Sequence, residues 1–156
     1  MNNLILNEWF LHDLNGDNGE KKLRETSVLL SKIINEDQFK IFILDESPWI
    51  IKLRKFAANP KEPTHKFMHL LFEMVIINSE KCEIIRSNDL PRLPEEILKH
   101  IPYEDAYLIQ LLLKVPSPIL VSTDNELIVK TKMFESEIKI KVFHRDDFIS
   151  QFTYST

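Results

Sequence analysis

The chain has 156 residues, of which 44% are hydrophobic and 28% charged, and its formal net charge is −4 at pH 7. These values predict one soluble globular domain over residues 1–156 with a sizeable core. The negative charge gives no general attraction to nucleic acid, because phosphate binding depends mainly on Lys and Arg. Only Gly16 and Gly19 occur, which excludes a GxGxxG dinucleotide loop and a P-loop.

The first half of the chain alternates short apolar runs with segments of helical periodicity. Its predicted elements are a strand over 4–6, a loop over 15–19, a helix over 20–35, a strand over 40–44, and helices over 48–58 and 64–77. Apolar residues recur at helical spacing in the first helix, and Ser47 followed by Pro48 is a typical helix start.

The second half continues the alternation. Its predicted elements are a strand over 82–85, a brief helix over 94–100, a helix over 103–114, a strand over 119–121, a short helix from Asp124, a strand over 138–142 and a helix over 145–152. In the last strand Lys139 and Lys141 should face water, and Ile138, Ile140 and Val142 the core. The order predicts an α/β three-layer sandwich with a mainly parallel central sheet flanked by helices.

Cysteine content and apolar run length indicate where such a protein works. Cys82 is the only cysteine, so a disulfide framework is excluded, a reducing compartment is expected, and the thiol should be buried and inert. No run reaches 18 apolar residues, and no basic region precedes the apolar start, which disfavours a membrane span and a signal peptide. The sequence predicts a cytoplasmic protein without a membrane partner.

Three acidic residues stand at junctions between predicted strands and helices. Glu46 follows the second strand, Asp105 lies in the first turn of a helix, and Asp124 follows the strand that ends near Val121. Ligands of open parallel sheets bind beyond the carboxyl ends of the strands. We therefore expect at least two of the acids to meet at one edge and to hold a divalent metal. The alternatives are that Asp124 caps a helix and that Asp105 balances a helix dipole.

Residues 104–109, Glu-Asp-Ala-Tyr-Leu-Ile, and 118–127, Pro-Ile-Leu-Val-Ser-Thr-Asp-Asn-Glu-Leu, resemble the second half of a PIN domain. The tail over 138–148, with Arg-Asp-Asp-Phe at its end, is similar to the closing strand and basic-Asp-Phe ending of that family. The element order is similar over nearly the whole chain, and the sharper motif matches cover about residues 102–148. The resemblance implies a PIN-like fold and a metal-dependent nuclease.

Members of that family use about four acids around one or two Mg²⁺ or Mn²⁺ ions, which activate water against an RNA phosphodiester. The resemblance assigns the catalytic and metal-binding roles of the third and fourth acids to Asp105 and Asp124. Glu46 matches the second acid, with Asp45 as the alternative if the strand is one residue longer.

The first acid of the family should end the opening strand, and this chain has Asn7 followed by Glu8 at that place. Asn7 has no charge, although its carbonyl oxygen can bind a metal. Glu8 would point to the other face unless a local turn aims it inward. Asp13 lies too far along to substitute. A one-metal or weak site follows from this departure, since Mg²⁺ prefers carboxylate oxygens.

Basic and aromatic residues near these positions are candidate RNA contacts. Lys52, Arg54 and Lys55 lie in a segment with a local excess of positive charge and are candidate phosphate contacts; a solvated helix face is the alternative. Trp9 and Trp49 follow the first two strands, where each could stack an unpaired base or pack in the core.

The function expected from the resemblance is a metal-dependent endoribonuclease, of toxin type or otherwise. A toxin-type enzyme would have RNA as its substrate and a protein such as an antitoxin as its partner. A homodimer is an alternative to a monomer. The alternative is a PIN-like module without catalysis that binds RNA or protein. The third reading is an unrelated α/β domain in which the acids are helix caps.

Overall fold

The computed structural model describes residues 1–59, 64–135 and 139–153. Five strands form one sheet: β1 Asn2–Leu6, β2 Phe39–Leu44, β3 Cys82–Ile85, β4 Pro118–Ser122 and β5 Lys141–His144. The strand order is β3-β2-β1-β4-β5, and every pair of neighbours is parallel. The predicted mainly parallel sheet is therefore parallel throughout the described chain.

Helices cover both faces of this sheet. They are α1 Trp9–Leu14, α2 Glu20–Asn35, α3 Pro48–Ala58, α4 His65–Leu71, α5 Glu95–Leu98, α6 Ala106–Lys114, α7 Asn125–Lys132 and α8 Arg145–Thr153. A π-helical turn, Phe72–Ile76, extends α4, and 3₁₀ turns occupy Ser87–Asp89 and Tyr103–Asp105. No helix in these parts of the chain is long and apolar enough to cross a bilayer.

The period-2 alternation of β1 divides the interior into two cores. Leu4 and Leu6 pack with side chains from α1, α2, α3, α4 and α8 on one face of the sheet. Ile5, between them, packs with side chains from α5, α6 and α7 on the other. Successive strand residues point to opposite faces, so the apolar run at the start of the chain serves both cores. The predicted α/β three-layer sandwich is confirmed.

Most predicted elements lie within a residue or two of their observed bounds, and two predictions need correction. Helix α1 was not predicted, because its six residues are too few to show a clear period. The strand predicted over 138–142 begins at Lys141, since the backbone of Lys139 has a φ of +47°. Lys139 and Lys141 are nevertheless exposed and Val142 is buried, as predicted. Ile138 lies outside the described residues.

A buried ion pair ties α1 to α8. Arg145 Nε donates to Asp13 Oδ2 at 2.9 Å, and each of these residues is 1% exposed. Asp13 also accepts from Thr26 Oγ1 at 2.8 Å and from Asn18 Nδ2 at 2.7 Å. Burial lowers the pKa of Arg145, but the hydrogen bonds to Asp146 and Asp13, together with the charges of Asp13 and Glu25, raise it overall. The network fixes α1, the helix that begins directly after Glu8.

Cys82 behaves as the sequence predicts. The thiol is buried in the core formed by the α1–α4 face of the sheet. Burial raises its pKa to about 12, so the side chain stays protonated at neutral pH. A protonated thiol is a poor nucleophile, and Cys82 is a packing residue.

Candidate functional site

The strand order reverses between β1 and β4. The chain proceeds from β1 to β2 and β3 on one side and returns to β4 and β5 on the other. Leu6 pairs with Val121, and the backbone N–H of Asn7 donates to the Val121 carbonyl at 3.2 Å. The residues that follow these two strands therefore leave the sheet side by side. Such a reversal is where open α/β sheets usually bind their ligands.

Asn7 braces this junction with both ends of its side-chain amide. Its Nδ2 donates to Ser122 Oγ at 3.4 Å, and its Oδ1 accepts from the backbone N–H of Glu8 at 2.8 Å. Ser122 Oγ also accepts from the backbone N–H of Asp124 at 3.0 Å. Asn7 thus links the turn after β1 to the turn after β4, and a metal would have to use the second lone pair of Asn7 Oδ1.

Asp124 is the N-cap of α7. Its Oδ1 accepts from the backbone N–H of Leu127 at 3.1 Å, so the capping role considered from the sequence is confirmed. The side chain is exposed, and Oδ2 accepts no hydrogen bond from the described residues. One carboxylate oxygen therefore stabilises the helix and the other faces no protein donor.

Asp105 ends the 3₁₀ turn before α6 and lies in a strongly negative environment. Burial raises the pKa of its carboxyl, and the carboxylates of Asp124, Glu104, Glu8 and Glu126 raise it further, in that order. The side chain is half-buried and makes no hydrogen bond that caps α6. Asp105 and Asp124 therefore lie within each other's electrostatic reach.

Glu8 joins these acids because the chain turns directly after β1. The backbone N–H of Leu11 donates to the Glu8 carbonyl at 3.0 Å, and Glu8 is the N-cap residue of α1. The chain thus makes the local turn after β1 that could aim Glu8 toward the site. The charge of Glu8 contributes to the raised pKa values of Asp105 and Tyr107, in both of which burial is the largest cause.

Lys52 also lies at this site, paired with Glu8. Its Nζ donates to Glu8 Oε2 at 3.0 Å and lies 2.9 Å from His12 Nε2. His12 Nδ1 lies 2.8 Å from Asp17 Oδ2. An ammonium group cannot accept, so His12 Nε2 accepts from Lys52 and Nδ1–H donates to Asp17. A chain of four polar side chains thus fixes the Lys52 ammonium beside the acids.

The other predicted site residues are more peripheral. Glu46 follows β2 at the same edge, is exposed and has a φ of +59°, but it is not among the charges that raise the pKa of Asp105. Asp45 extends the β2–β3 pairing by donating its N–H to Ile85. Arg54 and Lys55 are exposed on α3.

The aromatic residues differ from the expectation. Trp9 and Trp49 are both buried, and Trp9 Nε1 donates to the Val121 carbonyl at 2.8 Å. The prediction that either indole stacks a base is therefore wrong, and the alternative prediction of core packing is confirmed. Tyr103, which the sequence patterns do not single out, lies two residues before Asp105 and is 96% exposed.

The acids are close but not preassembled. Over residues 1–59, 64–135 and 139–153, no three Asp, Glu, His or Cys side chains form a group that could hold one metal ion. Glu8, Asp105 and Asp124 therefore share an electrostatic environment without a fixed coordination geometry. We call these three residues the acidic cluster.

Comparison with known proteins adds no family to this description. No family model, no curated protein and no solved structure matches the chain. The PIN resemblance therefore rests on the residues that carry it.

Proposed function

We propose that this protein is a metal-dependent endoribonuclease that hydrolyses RNA phosphodiester bonds with Mg²⁺ or Mn²⁺. The observation that carries the proposal is the acidic cluster, which lies beyond the carboxyl ends of β1 and β4 where the strand order reverses. Neighbouring carboxylates repel one another, and a divalent cation between them would remove that repulsion. The PIN resemblance over residues 102–148 agrees in placing Asp105 and Asp124 among the ligands.

The donor set suits a hard divalent cation. Carboxylate oxygens with an amide oxygen nearby are the ligands that Mg²⁺ and Mn²⁺ prefer. A metal bound there would polarise the phosphodiester and lower the pKa of a bound water. Asp105 and Asp124 would supply two carboxylates and Glu8 a third. Glu46 and Asn7 are further ligands in this proposal.

The remaining residues hold and orient the substrate. The Lys52 ammonium, fixed by Glu8 and His12, would contact the phosphate next to the reacting one. Arg54 and Lys55 would contact the backbone further along α3. The exposed carboxylate of Asp124 leaves the site open to solvent, so a single strand could reach it without displacing protein. A toxin-type role, with a protein such as an antitoxin as partner or as a homodimer, is part of the same proposal.

A PIN-like module that binds RNA or protein without catalysis is the second candidate. The observation that favours it is Lys52, since this ammonium already compensates Glu8, while Asn7 offers no charge at the end of β1. An acidic cluster that carries its own cation attracts a second cation less strongly. In this candidate the site retains its architecture and binds without cleaving.

Cleavage of labelled single-stranded RNA in Mn²⁺ tests the proposal. The Asp105→Asn, Asp124→Asn double variant should lose at least about a hundredfold in rate, because two metal-binding charges are gone. Asn caps helices about as well as Asp, so α7 should be retained. Asp89→Asn, Asp147→Asn removes two exposed charges elsewhere and is the matched control.

The outcomes separate the candidates. Cleavage by the wild type and the control, lost in the double variant, supports the nuclease. Equal cleavage by all three proteins would rule out this site. If the wild type binds RNA without cleaving it, the result would support the non-catalytic module.

A further inference from the structure

A cavity of about 510 Å³ is lined by residues on either side of Asp105 in the chain. It lies between the segment that leads into α5 and the start of α6, and Tyr103 and Ala106 in its wall flank Glu104 and Asp105 in the chain. Two residues of chain span no more than about 7 Å, so Tyr103 and Asp105 are close neighbours. The volume falls in the range of small-molecule sites.

The wall of this cavity offers an aromatic face that the fold does not use. The Tyr103 side chain is 96% exposed, and the neighbouring Leu98 is 47% exposed. Trp9 and Trp49, the indoles that follow β1 and β2, are buried in the core. A single exposed apolar residue is ordinary, but Tyr103 is among the residues that line a cavity and stands two residues before Asp105. A flat ligand could stack on the Tyr103 ring without any rearrangement of the core.

The polar residues of the wall favour a flat ligand without net charge. Arg92 and Glu95 line the same cavity and carry opposite charges, so the wall has no excess charge to attract a phosphate. Arg92 forms no ion pair or hydrogen bond with the described residues, so the donors of its planar guanidinium are available to a ligand. Gln110 Nε2 donates to the Pro91 carbonyl at 3.2 Å, which fixes the side chain and leaves Oε1 as an acceptor.

We propose that this cavity holds an unpaired nucleobase of single-stranded RNA, stacked on Tyr103. Every base has a π-face for such stacking, and its edge carries donors and acceptors that Arg92, Glu95 and Gln110 can meet. This inference rests on the proposed function, because the captured base would place the adjoining phosphodiester beside Asp105. Occupancy of the cavity then decides where along a strand the cut falls.

Fluorescence of a short single-stranded RNA containing 2-aminopurine tests the inference in EDTA, where no metal contributes to binding. Stacking quenches 2-aminopurine, so the wild type and Tyr103→Phe should quench it equally. Tyr103→Ala should lose the quenching and bind the RNA about tenfold more weakly. Phe72→Ala, which removes a partly exposed ring in the π-helical turn that extends α4, is the matched control. An RNA with an abasic nucleotide in place of 2-aminopurine should bind the wild type as weakly as it binds Tyr103→Ala.

The result that overturns the inference is quenching and affinity in Tyr103→Ala equal to those of the wild type. Absence of saturable RNA binding by the wild type overturns it as well. The Asp105→Asn, Asp124→Asn variant distinguishes the two proposals, since it should quench normally in EDTA. If the wild type quenches 2-aminopurine through Tyr103 but cleaves no RNA, the nuclease proposal is contradicted and the base site is supported. Cleavage that requires Asp105 and Asp124 but is unchanged in Tyr103→Ala would contradict the base site and support the nuclease.

Discussion

At the scale of single residues, the arrangement of like charges around Asp105 is the feature that sets this site apart. Its carboxyl is half-buried, and the four charges that raise its pKa are all negative. The nearby Lys52 ammonium is held by Glu8 and His12. Neighbouring like charges oppose folding, and perturbed carboxyl groups are enriched at functional sites.

Replacing Asp105 should stabilise the metal-free protein. Because folding raises the pKa of this carboxyl, the folded state binds more protons than the unfolded state just above the usual Asp pKa of about 4. The wild-type carboxyl therefore costs no stability below that pH. The free energy of unfolding then falls as the pH rises through the folded pKa. At pH 7 in EDTA, Asp105→Asn should melt about 1–4 °C higher than the wild type.

Thermal unfolding at several pH values checks this sign. The advantage of Asp105→Asn should vanish near pH 3, where both states of the wild-type carboxyl are protonated. The exposed Asp89→Asn should show no such pH-dependent difference. A variant that is less stable than the wild type at pH 7 would mean that the Asp105 charge is compensated in the folded protein.

At the scale of elements, α1 positions Glu8, and its own position depends on the buried pair of Asp13 and Arg145. These residues are 132 positions apart in the chain, and their contact joins α1 to α8. The guanidinium also lies 5.8 Å from the ring of Trp9, the first residue of α1. The orientation of the turn after β1 thus depends on the end of the described chain.

Breaking this pair from one side should be costly. Arg145→Met leaves the Asp13 carboxylate buried without its cation, and removal of one partner of a buried pair costs about 3–5 kcal/mol. The Asp13→Asn, Arg145→Met double variant buries no charge at this place and should recover much of the loss. Urea unfolding of the two single variants and the double variant gives the coupling energy; additive losses would show that the pair is not a unit.

At the scale of the whole molecule, the sheet and its layers could be read from the sequence, and the site only in part. Apolar runs and Ser47-Pro48 located four strands and α3 closely, because burial and capping are local signals. Helix α1 was missed because it is short and its only charged residue, Asp13, is buried by a partner that is remote in sequence. The exposure of Tyr103 could not be predicted from the sequence either, because exposure depends on tertiary packing.

Isothermal titration of the metal-free protein with Mn²⁺ shows whether the acidic cluster binds a metal, and it needs neither the correct RNA nor turnover. We expect saturable binding to the wild type that is lost in Asp105→Asn, Asp124→Asn and retained in Asp89→Asn, Asp147→Asn. Absence of binding to the wild type, or equal binding to all three proteins, would contradict the assignment of the acidic cluster as a metal site.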